Sequence, residues 1–412
     1  MNNKKSSVPK LRFPEFTDAW EQRKLGELAT FSKGIGFSKS DLKSSGEPII
    51  LYGQLYTQYQ TVINDVDTFV TSNKNSIFSE GDEVIVPASG ETAEDIARAS
   101  AVGKAGIILG GDLNIIKPYS DINSIFLALN ISNGKTQKEL SKKAQGKSVV
   151  HLRNDDLKTI ALIYPIIQEQ QKIGSFFTAL DRLITTHQRK LENVKKLKKS
   201  LLQKMFPKNG QEFPEIRFPE FTDAWEQRKL GELATFSKGI GFSKSDLKSS
   251  GEPIILYGQL YTQYQTVIND VDTFVTSNKN SIFSEGDEVI VPASGETAED
   301  IARASAVGKA GIILGGDLNI IKPYSDINSI FLALNISNGK TQKELSKKAQ
   351  GKSVVHLRND DLKTIALIYP IIQEQQKIGS FFTALDRLIT THQRKLENVK
   401  KLKKALLQQM FV

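Results

Sequence analysis

Chemistry needs particular residue types at particular spacings, and this sequence offers few such sets. Ser141-Lys-Lys-Ala-Gln-Gly-Lys-Ser148 has the outline of a phosphate-binding loop. That motif needs a glycine where Ser141 stands, and a preceding strand where a charged helix is expected. Gly34-Ile-Gly36 lacks the third glycine of a dinucleotide fingerprint, with Lys39 in its place. Ser89-Gly90-Glu91 lacks the glycine two residues before the serine that a nucleophile elbow requires. Asp82 and Glu83 lead into Val-Ile-Val with no lysine set for a nuclease metal centre, so they read as a turn entering a strand. The four histidines, His151, His187, His356 and His392, are too few and too scattered for a zinc site, and there is no cysteine. His187 reads as a hydrogen-bonded core residue. No catalytic or metal-binding constellation emerges.

What remains suits binding. Net charge is +9 with pI near 9.2, which favours an anionic partner, nucleic acid first. The loop from Lys33 through Gly34 to Lys39 is basic, flexible and able to approach phosphates closely. Tyr52, Gln54, Tyr56, Gln58 and Tyr59 crowd into eight residues. Glutamine can pair bidentately with adenine, and tyrosine or serine hydroxyls reach phosphate; the run also fits an ordinary exposed strand edge. Ser89 and Thr92 lie in a polar turn between a strand and a helix, and Lys147 and Arg153 add charge. The aromatics Phe13, Phe16 and Trp20 read as exposed anchors for a protein partner. The cluster Lys195, Lys196, Lys198 and Lys199 reads as a solvated helix face.

The elements that must position these residues come in duplicate. From Arg12 to Lys199, and from Arg217 to Lys404, the chain matches itself residue for residue at an offset of 205. Differences fall only at the edges, such as Leu11 against Ile216, Ser200 against Ala405 and Lys204 against Gln409. Drift would leave substitutions throughout, so the duplication is recent or engineered. The second set of candidates is therefore Lys238, Gly239, Lys244, Tyr257, Gln259, Tyr261, Gln263, Ser294, Thr297, Lys352 and Arg358 for nucleic acid. Phe218, Phe221 and Trp225 are the second set of anchors.

Within a copy, Asp18 and Glu21 have capping-box spacing and predict a short helix through Leu28. Apolar runs bounded by glycine, asparagine or aspartate predict strands at Pro48–Tyr52, Glu83–Pro87, Val102–Leu109, Leu113–Ile116, Ile125–Leu129, Ser148–Leu152 and Thr159–Tyr164. Thr92 with Asp95 predicts a capped helix to Ala99, and Lys135–Lys143 a polar one. From Gln168 to Phe206 a seam of Ile173, Phe177, Leu180, Ile184, Leu191, Val194 and Leu201 runs mostly in steps of four and three, with His187 filling the gap before Leu191. That is a helical rod of roughly 55 Å, and it returns at Gln373–Phe411. The fold class is α+β: two identical globular domains, each followed by a long helix. Boundaries fall at 11–166, 167–206, a linker 207–215, 216–371 and 372–411. The N-terminus lacks a secretory signal and no apolar run could span a membrane, so a cytoplasmic protein without membrane association is expected.

One ordered set of motifs is specific. It runs Leu-Arg-Phe-Pro-Glu-Phe-Thr, Trp-Glu-Gln-Arg-Lys-Leu-Gly-Glu-Leu, Gly-Phe-Ser-Lys-Ser-Asp-Leu, Tyr-Gly-Gln-Leu-Tyr-Thr, Val-Pro-Ala-Ser-Gly-Glu-Thr, Ala-Gln-Gly-Lys-Ser-Val-Val-His-Leu and Gln-Glu-Gln-Gln-Lys-Ile, closing on Leu-Leu-Gln-Lys-Met-Phe. Together it resembles the DNA-specificity subunit of Type I restriction–modification systems, over essentially the whole chain, twice. The resemblance implies two target-recognition domains whose long helices pair as an antiparallel coiled coil and fix the spacing of a two-part double-stranded DNA target. It implies a non-catalytic chain without its own cofactor. Two methyltransferase subunits using S-adenosylmethionine would dock on the helices and domain openings, and restriction subunits using ATP and Mg would join the full complex. One departure matters: the family's two domains usually differ, whereas these are identical. With antiparallel rods, identical domains imply a palindromic target; with parallel rods, direct repeats. The alternative is a stand-alone site-specific or architectural DNA-binding protein.

Overall fold

The computed structural model describes residues 8–146, 149–208, 211–351 and 354–411. From its start the chain forms β1 (Glu21–Lys24), β2 (Ala29–Lys33), β3 (Glu47–Ile50), α1 (Gln54–Thr57), β4 (Val62–Ile63), β5 (Phe69–Val70), β6 (Val84–Pro87), β7 (Ser89–Gly90) and α2 (Ala93–Ile96). There follow β8 (Ser100–Val102), β9 (Ile108–Leu109), β10 (Leu113–Pro118), α3 (Ser124–Ile131), α4 (Gly134–Lys143), β11 (Val150–His151), α5 (Asn154–Lys158), β12 (Ala161–Tyr164) and the long α6 (Ile167–Lys204). The order returns as β13 (Glu226–Lys229) to β24 (Ala366–Tyr369), with α7 (Gln259–Thr262) matching α1 and α12 (Ile372–Met410) matching α6.

The chain divides into two compact units. One joins the residues up to Gln188 with those from Arg394 onward, and the other is Arg189–Gln393. In the first, a five-stranded sheet has the order β2-β10-β6-β8-β4 and a three-stranded one the order β5-β3-β9. Strand β6 is buried at every position because it lies in mid-sheet with a core on each face. Val84 and Val86 enter the larger core with Phe126, Leu127 and Phe177, while Ile85 enters the smaller with Ile50, Leu55 and Ile115. That is the two-residue period of a strand expressed as packing.

The seam of α6 is buried at Ile173, Phe177 and Leu180 within this unit. Its partner there is the end of α12. Phe411 lies 6.1 Å from Phe177, and Lys403 Nζ lies 2.5 Å from Asp181. Numbers rise along one helix as they fall along the other, so the two segments run antiparallel. The second unit has the same geometry: Phe206 lies 6.5 Å from Phe382, and Lys198 Nζ lies 2.5 Å from Asp386. Lys198 is thus an ion-pair partner that also reaches Thr266 Oγ1, and not the freely solvated lysine the sequence suggested.

Four expectations are corrected. The segment after Asp18 is a strand, because Glu21–Lys24 pairs antiparallel with β12 and so satisfies its backbone in the sheet. Ile125–Leu129 is the inside of helix α3, capped by Asn123, whose Oδ1 accepts from Phe126 N at 3.0 Å; a short apolar run fits a buried helix as well as a strand. Val102–Leu109 is split into β8 and β9, of different sheets, by a turn with Gly106 at φ +87°. Trp20 and Trp225 are 4% exposed, not open anchors. Trp20 packs edge-on against Phe126 at 5.9 Å, its large apolar ring being worth more inside.

Candidate nucleic-acid interface

One end of the five-stranded sheet gathers the candidate side chains. Strand pairing sets Lys33 beside Asn114 and Leu113 beside Pro87, so β2 and β6 end where β10 begins. The loops at that end are tied to one another. Gly111 N donates to Gly36 O (2.7 Å), Ala88 N to Asp112 O (2.7 Å), and Leu152 N to Ala88 O (3.0 Å). Asn154 Nδ2 donates to Ser32 O at 2.9 Å. Lys33, Gly34, Ser89, Thr92 and Arg153 are thereby brought together, with Lys33, Thr92 and Arg153 exposed.

The loop Lys33–Lys39 is pinned where the sequence suggested flexibility. A Cβ at Gly34 would overlap the carbonyl of Gly110, so this glycine serves a close approach between two stretches of the protein's own backbone. Gly36 and Phe37 are left-handed at φ +59° and +56°. Exposed Lys39 opens a short turn whose Asp41 carboxylate accepts from Ser38 N (2.6 Å) and Ser38 Oγ (2.9 Å). Those bonds, the backbone one foremost, hold the Asp41 carboxyl below its usual range.

The Tyr/Gln run is a one-turn helix and not a strand edge. Gln54 Oε1 accepts from Leu51 N and its Nε2 donates to Thr68 Oγ1, both at 2.8 Å; Thr68 Oγ1 in turn donates to Ile49 O at 2.6 Å. Leu55 fills the smaller core. Tyr56 donates its hydroxyl to Ser89 O, and burial pushes that phenol upward. Tyr52 and Gln58 face solvent. Ser89 is buried, and its Oγ lies 3.2 Å from Nδ1 of exposed His151 across the β7–β11 ribbon. Thr92 caps α2, accepting from Asp95 N at 3.1 Å.

The second unit repeats the arrangement. Gln259 bonds Leu256 N and Thr273 at 2.9 and 2.7 Å, Tyr261 bonds Ser294 O, and Ser294 Oγ lies 3.1 Å from His356 Nδ1. Lys238, Lys244, Tyr257, Gln263, Thr297 and Arg358 are exposed there, and Gly239 is crowded by the carbonyl of Gly315. Lys147 and Lys352 lie outside the described residues. His151 and His356 were missed as interface candidates. A lone histidine carries no local signal, and only the fold sets it beside Ser89.

Of the anchors, Phe13 packs against the core. Phe13 stacks edge-on against Phe176 at 5.8 Å, and Lys172 lies over the rings of Phe13 and Phe16. Arg12 forks onto Glu169 with two bonds of 2.7 Å, Glu169 being fully buried. Phe218 repeats this on Phe381, and Lys377 covers Phe218 and Phe221. The opening segment is therefore docked on its own long helix. Among the described residues no helix is long and apolar enough to cross a membrane.

Two mixed domains, each feeding a long helix, define the class, and comparison with known proteins gives it a family. The profile of the Type I restriction modification DNA specificity domain matches residues 17–196 and again 222–401. The chain belongs to this family. The specificity subunit of the Type I restriction enzyme MjaVIII from Methanocaldococcus jannaschii is 23% identical over 411 residues, covering 96% of this chain and 92% of that one. The crystal structure of a Type I S subunit from M. genitalium shares the fold with a TM-score of 0.65 at 16% identity, over 98% of this chain and 99% of that chain.

Proposed function

We propose that this chain is the non-catalytic, sequence-reading subunit of a Type I adenine-methyltransferase and restriction complex, and that its target is a two-part palindrome in double-stranded DNA. The observation that carries the reading is the family match to both halves of the chain. Exposed lysines and an arginine at the tied end of each sheet support a surface that follows phosphates, leaving neutral side chains to read bases. Identical units read identical half-sites, and the antiparallel helix packing inside each unit supports inverted rather than direct halves. Two methyltransferase subunits supply S-adenosylmethionine chemistry, and restriction subunits supply that of ATP and Mg.

Co-expression with the neighbouring methyltransferase gene, affinity purification and mapping of methylated adenines test this. The expected result is co-purification and a methylated motif with two inverted, identical halves around an unspecified spacer. A chain that binds DNA specifically without retaining a methyltransferase is instead the stand-alone binder. A motif with unlike halves overturns the palindrome.

A further inference from the structure

We infer that α1 and the β7–β11 ribbon form one base-reading platform, on which Tyr52 and His151 contact DNA bases while Gln54 and Tyr56 are positioning residues. This rests on the reading of the chain as a DNA-specificity subunit.

The division of labour follows from which polar atoms are already used. The Gln54 amide accepts from Leu51 N and donates to Thr68 Oγ1, which fixes its orientation. Swinging out to pair bidentately with a base would break both, leaving Leu51 N without its acceptor. The Tyr56 hydroxyl gives its one proton to the carbonyl of Ser89. These two bonds fix α1 on either side, with Leu55 as its apolar foot in the core. Tyr52 is 38% exposed and packs edge-on against Tyr56 at 6.2 Å, so its ring is held while its hydroxyl is open. The same Ser89 that takes the Tyr56 bond holds the exposed His151 ring through Nδ1. Nε2 is left for an outside partner, and Tyr52, Tyr56, Ser89 and His151 form one chain of contacts. The charged groups acting on the Tyr56 hydroxyl are Asp95, Asp112 and Arg98, and Arg98 is paired with Asp95 at 3.0 Å. The one cation among the groups acting on that hydroxyl is therefore already neutralised. The platform's neutral donors and acceptors suit base edges, while Lys33 and Arg153 are placed for the backbone.

Selection from a random duplex library tests this, using the full chain with both copies altered. For His151→Ala with His356→Ala, at least one base pair in each half-site should become degenerate. Affinity for the wild-type target should fall about tenfold, with binding to random duplex changed less than about twofold. An unchanged motif, or equal weakening on target and random DNA, overturns the base-reading role. Thr68→Val with Thr273→Val should degrade the same base pairs as Gln54→Ala with Gln259→Ala, since each releases the same loop. If only the glutamine variants alter the motif, Gln54 reads a base itself and its positioning role is wrong. Should the glutamine variants unfold, the threonine pair alone decides, its unchanged motif counting against positioning. A wild-type chain that selects no motif removes the underlying reading as well.

Discussion

At the scale of single residues, the polar groups that look available in the sequence are often those the fold has already used. Gln54 sits in a run suited to adenine, yet its amide is held by Leu51 and Thr68. Trp20 looks like an interface anchor and is core. No local pattern reveals this, because Thr68 lies fourteen residues from Gln54 and Phe126 over a hundred from Trp20. Lys39 differs: it is exposed and opens a pinned turn. Lys39→Ala with Lys244→Ala should weaken binding to all sequences alike. It should also lower the salt slope of log K by about two, one phosphate contact per copy, as titration in rising salt would register. Arg12 is a two-pronged clamp on Glu169. Arg12→Ala leaves the carboxylate of fully buried Glu169 unpaired and should cost about 3–5 kcal/mol in urea denaturation of the first unit. A loss below about 1 kcal/mol would mean that water replaces the guanidinium.

Among the elements, the long helices were the most legible. A heptad seam needs only periodicity, and α6 and α12 end within two residues of the expected limits. Mid-sheet strands such as β6 were also clear, because a continuous apolar run bounded by turn residues is a local property. Strand β1 was not, since only its partner β12, about 140 residues on, makes it a strand. Nor could the seam show how its ends are used: Met410 and Phe411 complete the core that holds Phe126 and Phe177, as Met205 and Phe206 complete the other. Phe411→Ala should therefore destabilise the first unit by about 3–5 kcal/mol, although it sits next to the last residue of the sequence. A negligible shift in the unfolding midpoint would show that the cores do not depend on the helix ends. A double-mutant cycle of Lys403→Met and Asp181→Asn should return a coupling of about 1–2 kcal/mol. Additive effects would mean that the pair is only a surface contact.

For the whole molecule, the decisive feature is the repeat, which was fully legible and gives each half the same candidate interface and the same antiparallel helix packing. Which candidate side chains share one end of the sheet was not legible, because that end is assembled by loops far apart in sequence, tied by bonds such as Gly111 N to Gly36 O. With a net charge of +9, random-sequence binding should collapse as salt rises, while the target retains an advantage that salt does not erase. The most direct measurement is selection of duplexes by the purified chain at near-physiological salt, followed by sequencing of the retained pool. The enriched site should be two copies of one short half-site in inverted orientation, separated by a fixed number of unspecified base pairs. Enrichment of direct repeats, of two unlike halves, or of no sequence at all would contradict the account.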